Sequence, residues 1–393
     1  MTHGVDWSAL THAYGSAEDV PRNIAALRSD DEAVRYEALG ELFSSIVHQG
    51  TRYPASAYAV PPLLDLLGDP SVPGRAFIGQ LLALIAIGGD EAWLPETLPI
   101  EDLRLEAIGG EAAMRSTGTP PSIEDAAKID ALAEERAYDA VAAGLPLLRR
   151  LATEPAMARA AGSAPTVDDG VAVIAAYTIG WFPDVDPDTS LAALEALVGV
   201  GDEAEAAVAV VAAGLLGAPG GERLARWAID DPRPVVRWAG AVASAKLHGP
   251  AAGDRVAAEL LHWAGGASAP DVRMPYLDGD LAGYAALALG QLGAKYDTAA
   301  FNAFLARLPQ VQGAPALTIA GEALRLACPY GPLADRTPFG ELDDRQQRLA
   351  QVLAASPDTW LWDEHPFGNF SMLLGEYGFP DSHENMRRYV SPR

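Results

Sequence analysis

Apolar residues along this chain recur at helical spacing. Val34, Ala38, Leu42 and Ile46 fall four apart and form one stripe, the signature of a helix with a single buried face. Ser29, Asp30 and Asp31 precede that stripe, where side-chain oxygens cap the free N–H groups of a first turn. His48, Gln49 and Gly50 end it, and the gap to Pro54 predicts a tight turn. The same reading predicts helices over residues 54–67, 74–87, 122–151, 167–181, 190–198, 202–217, 222–229, 233–247, 253–263, 277–292, 298–308 and 343–355. Pro61 and Pro62 are expected to kink or restart the second helix, because proline has no N–H to donate. Turns are expected at Glu154-Pro155 and at 162–165, and a helix of about 371–377 before Gly378. No window shows sustained apolar/polar alternation between turn dipeptides, so no strand is predicted.

Four stretches repeat a small-residue helical pattern: AAYTIGWFP from Ala175, AVVAAGLLG from Ala209, AVASAKLHG from Ala241 and AALALGQLG from Ala285, with starts 34, 32 and 44 residues apart. Recurrence at that period predicts an α-solenoid, in which each helix pair buries its face on the next. Residues 1–95 form N-terminal repeats, 96–125 an irregular insertion, 126–330 the central repeats and 331–393 a C-terminal cap. The insertion carries Pro95, Pro99, Pro120 and Pro121 around one short helix near 100–115. It is either a binding loop or a linker. In the last segment Trp360, Trp362, Phe367 and Phe370 either cover the final apolar face or form a second binding element. Asp381 to Glu384 offers a capping box for a last helix.

Asp230-Asp-Pro-Arg-Pro-Val-Val-Arg-Trp-Ala-Gly-Ala-Val-Ala-Ser-Ala-Lys-Leu247 resembles the second helix of a HEAT repeat, and Asp30-Asp-Glu-Ala-Val-Arg-Tyr-Glu-Ala-Leu-Gly40 looks like a second copy. The resemblance covers roughly residues 20–310. It implies an all-α, right-handed solenoid whose second helices line a concave surface. Arg35 and Arg237 hold matching positions, and each is expected to reach an acidic group of a neighbouring repeat. Proteins of this kind include scaffolds, DNA glycosylases and bilin lyases.

Composition narrows the function. Apolar residues make up 49% and aromatic residues only 7%, and 28 Lys+Arg against 53 Asp+Glu leave a formal charge of −25. Such a chain repels phosphate backbones, so no nucleic-acid partner is expected. The single cysteine, Cys328, permits no internal disulfide and reads as a buried thiol in a reducing cytoplasm. The first residues lack the basic and apolar regions of a signal peptide, and no apolar run reaches membrane length. Cytoplasmic location follows as the expectation, and the Ala-, Gly- and Arg-rich, Lys-poor usage suggests a GC-rich bacterial genome.

No chemistry-bearing motif stands out. His3, His12, His48, His248, His262, His365 and His383 make no metal-binding spacing, and neither a phosphate loop nor a serine-nucleophile elbow is present. Asp184, Asp186 and Asp188 alternate like calcium ligands but lack the glycine and terminal Glu of such a loop. No cofactor or metal is expected. Tyr177, Trp181, Trp238 and Tyr284 lie on or close to second helices, so they face either the core or a concave groove. His48, Arg52 and Tyr53 extend that candidate groove, and Glu135 or Asp168 supplies an acid. The expected function is a non-enzymatic scaffold holding a protein or peptide of basic character on its concave face. The alternative is a lyase-like enzyme or small-molecule binder with an aromatic pocket in that groove.

Overall fold

Asp31 accepts a hydrogen bond from the Ala33 amide, Ser122 from Asp125, Asp202 from Glu205 and Asp343 from Gln346. Each of these caps satisfies an N–H that a helix start leaves without an internal partner. The computed structural model describes residues 4–115, 121–160, 170–267, 272–334 and 337–391, and most of them are helical. The chain divides into two compact units, Met1–Leu224 and Ala225–Arg393.

The first unit contains α1 (Val20–Ala26), α2 (Glu32–Ser45), α3 (Pro54–Gly68), α4 (Arg75–Ile87), α5 (Ile100–Glu106), α6 (Gly110–Arg115), α7 (Ile123–Ala142), α8 (Leu145–Ala160), α9 (Val171–Ile179), α10 (Pro187–Val200) and α11 (Glu203–Leu216). Helix α3 packs on α4 and α7, α4 on α7 and α9, α8 on α9 and α10, and α11 on α9 and α10. Close approach needs small residues: a Cβ at Gly180 would fall 2.9 Å from the Cα of Ala212, nearer than real Cβ atoms come. The boundary between the units falls inside α12 (Gly221–Ala228).

The second unit holds α13 (Pro234–His248), α14 (Asp254–Ala264), α15 (Leu281–Gln291), α16 (Asp297–Arg307), α17 (Ala314–Ala327), α18 (Asp344–Ala355), α19 (Gly368–Glu376) and α20 (His383–Val390). Helix α13 packs on α14 and α15, α15 on α17, α17 on α16, α18 and α19, and α18 on α20.

Arg35 and Arg237 perform the same task. Arg35 donates to the carbonyls of Ser29 and Asp30, six and five residues back, at 2.8 and 3.0 Å. Arg237 donates to those of Asp231 and Pro232 at the same offsets, at 3.1 and 2.9 Å. Each guanidinium thus closes its own acidic turn. The expected reach to a neighbour is met by Arg237 alone, whose Nε lies 3.7 Å from Glu259 on α14.

Several expectations are corrected. Among the described residues there are three antiparallel hairpins with two-residue strands and two-residue loops: β1 (Thr11–His12) with β2 (Gly15–Ser16), β3 (Val47–His48) with β4 (Thr51–Arg52), and β5 (Leu361–Trp362) with β6 (His365–Pro366). Strands this short show no alternation, and only the Gln49-Gly50 loop, both residues at positive φ, carries a recognisable turn pair. Pro61 and Pro62 sit inside an unbroken α3, and α8 runs through position 155. Residues 100–115 form two short helices rather than one, and Leu103 and Ala107 pack on Ala131 and Leu132 of α7. Helix α17 was not predicted. Helix α15 starts at Leu281, after Leu277 and Asp278 at positive φ. Ser382 caps α20 without a reciprocal Glu contact.

Candidate functional site

The first two hairpins lie together at the C-terminal end of α2, and the Ala13 amide donates to the Ser45 carbonyl at 3.0 Å. His12 fixes the first hairpin from within. The Tyr14 amide donates to His12 Nδ1 at 3.0 Å, so Nδ1 keeps its lone pair, and Nε2–H points to Asp19 at 2.9 Å. The hairpin thereby presents Tyr14, 67% exposed, edge-on to the His48 ring at a centroid distance of 5.6 Å. His48 Nδ1 donates to the Ser44 carbonyl at 3.1 Å.

Beneath these rings Arg52 is 3% exposed. It donates to the Gly50 carbonyl and, at 2.8 Å, to Glu134 on α7. Gly88 (φ +78°) makes room for it, since a Cβ there would overlap the guanidinium and the Gly50 carbonyl. Burial pushes the Glu134 carboxyl above its ordinary range, against the pull of Arg52 and with help from Asp130 and Glu106. Burial also raises Asp130. The Tyr53 hydroxyl is raised first by burial, then by the charges of Asp130 and Tyr14.

The cluster therefore presents an exposed Tyr14 and the half-buried rings of His48 and Tyr53, in the electrostatic reach of the exposed Asp130 carboxylate. Arg52 engages Glu134 from below and offers no charge to solvent. Aromatic rings and carboxylates together favour a cation held over the ring faces. Among the described residues no group of three or more His, Cys, Asp or Glu side chains is arranged to hold a metal ion.

Of the residues singled out from sequence, His48, Arg52 and Tyr53 are brought together here. Glu135 is not: its neighbours are Asp139 and Arg104, and the carboxylate that meets Arg52 belongs to Glu134. Asp168 lies outside the described residues. Tyr177 and Trp181 are interior to the first unit, with rings 5.9 Å apart and Trp181 1% exposed. Trp238 (0% exposed) and Tyr284 are interior to the second unit, 5.7 Å apart, and Trp238 Nε1 donates to the Leu281 carbonyl at 3.0 Å. These four aromatics line no open groove. Their helices are apolar around most of their circumference, as α9 shows with eight of its nine residues buried, so burial takes every face.

Sequence reasoning missed Tyr14, Asp130 and Glu134. One signal was available: Thr11-His12-Ala-Tyr-Gly-Ser16 and Val47-His48-Gln-Gly-Thr-Arg52 share a histidine just before a two-residue loop. The carboxylates on α7 carry no such mark.

No protein-family model matches the sequence, and no curated protein matches it. Among solved structures, the crystal structure of an engineered protein is similar at 18% identity, over 94% of this chain and 89% of that one, with a TM-score of 0.32. Among the described residues no helix is long and apolar enough to cross a membrane.

Proposed function

We propose that this chain is a non-enzymatic, HEAT-like helical-repeat protein, a right-handed solenoid that holds a protein or peptide partner of basic character. The single observation that carries the binding reading is the paired-hairpin cluster. Tyr14 stands edge-on to His48, Tyr53 follows in the same segment, the charge of Asp130 acts on Tyr53, and the guanidinium of Arg52 is buried on Glu134. Rings and unneutralised carboxylates suit a Lys or Arg side chain. The matching turn closures of Arg35 and Arg237 support the repeat reading. The −25 formal charge adds long-range attraction for a cationic partner and disfavours DNA or RNA.

The test is affinity capture from the cells that make the protein, with wild type and a Tyr14→Ala/Asp130→Asn double variant as bait, followed by mass spectrometry. Basic proteins retained by wild type at low salt, and lost by the double variant, support the reading. Equal retention by both baits overturns the site. Duplex DNA binding at physiological salt overturns the assignment of partner class.

A further inference from the structure

Aspartates close several turns of this chain by accepting from the amide two residues on. The Ser8, Ala33, Ser71 and Arg233 amides donate to Asp6, Asp31, Asp69 and Asp231 at 3.2, 2.9, 3.0 and 2.9 Å. This is the Asx turn, in which a short side chain stands in for a backbone carbonyl. In the first hairpin the Tyr14 amide makes the same bond, at 3.0 Å, to His12 Nδ1. An ordinary aspartate remains an ionised acceptor down to about pH 4. An imidazole gives up its lone pair when it takes a second proton, which histidines ordinarily do between about pH 5 and 8.

Both ring nitrogens of His12 are engaged. The residue is 8% exposed, with Nδ1 on the Tyr14 amide and Nε2 on Asp19 at 2.9 Å. An amide only donates, so this arrangement requires the neutral ring with its proton on Nε2. A second proton has to enter at Nδ1, where the Tyr14 N–H already points. The Tyr14 amide then loses its acceptor, while the imidazolium keeps its contact with Asp19. Protonation breaks the turn bond and leaves the histidine anchored.

The consequence reaches the candidate site through Tyr14. Its ring stands edge-on to His48 at 5.6 Å, and its hydroxyl lies 3.4 Å from His48 Nδ1. The titratable and charged groups on the elements around His12 are Asp19 and Arg22 at the start of α1, Tyr14 at 6.3 Å between ring centroids, His48 beyond it, and Tyr58 and Asp65 of α3, which packs on β1. Of these, Asp19 makes the ion-pair contact with the ring.

We propose that His12 is a proton-operated latch, a positioning residue that holds Tyr14 against His48 at neutral pH and releases it in acid. For what Tyr14 does, this rests on the reading of the hairpin cluster given above. It adds a condition to that reading: the site is assembled for its basic partner while His12 is neutral, and comes apart when His12 is protonated.

The latch is tested without a partner, so its failure is distinguishable from failure of the capture experiment. In the isotope-labelled full chain, the His12 ring nitrogens and the Tyr14 amide are followed by NMR from about pH 7.5 to about pH 5.5. His12 Nδ1 is expected to be unprotonated at the upper pH. The Tyr14 amide should shift with the same midpoint as the His12 ring. Its protection from hydrogen exchange, corrected for the intrinsic rate, should fall about tenfold. His12→Asn offers an Asx-turn acceptor that takes no proton in this range, so its Tyr14 amide should stay protected at both ends. His48→Asn should still show the wild-type loss. A Tyr14 amide that ignores the His12 titration overturns the latch, as does a proton on Nδ1 at neutral pH. An equal loss in His12→Asn, or its disappearance in His48→Asn, also overturns it. If urea unfolding shows that His12→Asn does not fold, the agreement or disagreement of the two wild-type midpoints decides.

Discussion

The guanidinium of Arg52 meets the carboxylate of Glu134 at 2.8 Å, across 82 residues of sequence. Arg52 is the end of a two-residue strand away from its hairpin loop, and Glu134 lies midway along α7. The pair ties the second hairpin to the helix that carries Asp130. Removing one partner of a buried pair leaves a charge without compensation.

Arg52→Ala is accordingly expected to cost about 3 kcal/mol of stability. Gly88→Ala should cost about 2 kcal/mol or more, because its φ of +78° is in the left-handed region and its Cβ would strike Arg52. Tyr14→Ala should stay within about 0.5 kcal/mol of wild type, its side chain being exposed. Urea unfolding of the three variants measures this. A Gly88→Ala protein as stable as wild type would show that Arg52 is not confined there.

Acid pH should first stabilise and then destabilise the protein. Glu134, Asp130, Glu135 and Asp280 are all raised, with burial the leading cause. A raised carboxyl binds its proton more tightly when folded, so its stabilising share is full below the ordinary value and fades as pH rises through the folded value. Asp69, Asp231 and Asp254 are lowered, by hydrogen bonds from Arg28, Arg233 and Lys295. Their contribution is present above the ordinary 3.8 and is lost as pH falls through the lowered values. Urea midpoints at about pH 7, 5 and 3 should therefore rise and then fall. A steady decline from neutral pH would contradict this account. In Glu134→Gln the rise should be smaller.

Trp181 and Trp238 are both core residues, and truncation of either to Ala should cost about 3–5 kcal/mol. Phenylalanine separates them. Trp238→Phe leaves the Leu281 carbonyl without its indole donor, an added cost of about 1–3 kcal/mol. Trp181 Nε1 finds no partner among the described residues, so Trp181→Phe loses only volume. Denaturation should rank Trp238→Phe as the less stable of the two. The opposite order would locate the missing partner at Trp181.

Cys328 should be chemically quiet in the folded protein. Burial, with the nearby charge of Asp343, pushes its thiol up to about 11, and the thiolate is the reactive form. A disulfide reagent at neutral pH should label it only after urea is added. Fast labelling of the native protein would show an opening of the end of α17.

The helical character and most helix starts could be read from the sequence alone, because they depend on local events. Asp31, Asp202 and Asp343 cap the first turns they precede, and the acidic turns close on arginines five and six residues later. The tertiary structure decided what distance along the chain conceals. Periodicity cannot orient a helix that is apolar on nearly every face, so Tyr177 and Trp181 stayed undecided between core and groove until packing buried α9. Neighbouring positions on α7 differ by about 100° around the axis, and only the approach of Arg52 distinguishes Glu134 from Glu135. The pairing of Tyr14 with His48 depends on two hairpins, invisible to alternation, meeting at one end of α2. Local chemistry sets the elements, and long-range burial sets which of their polar residues face one another.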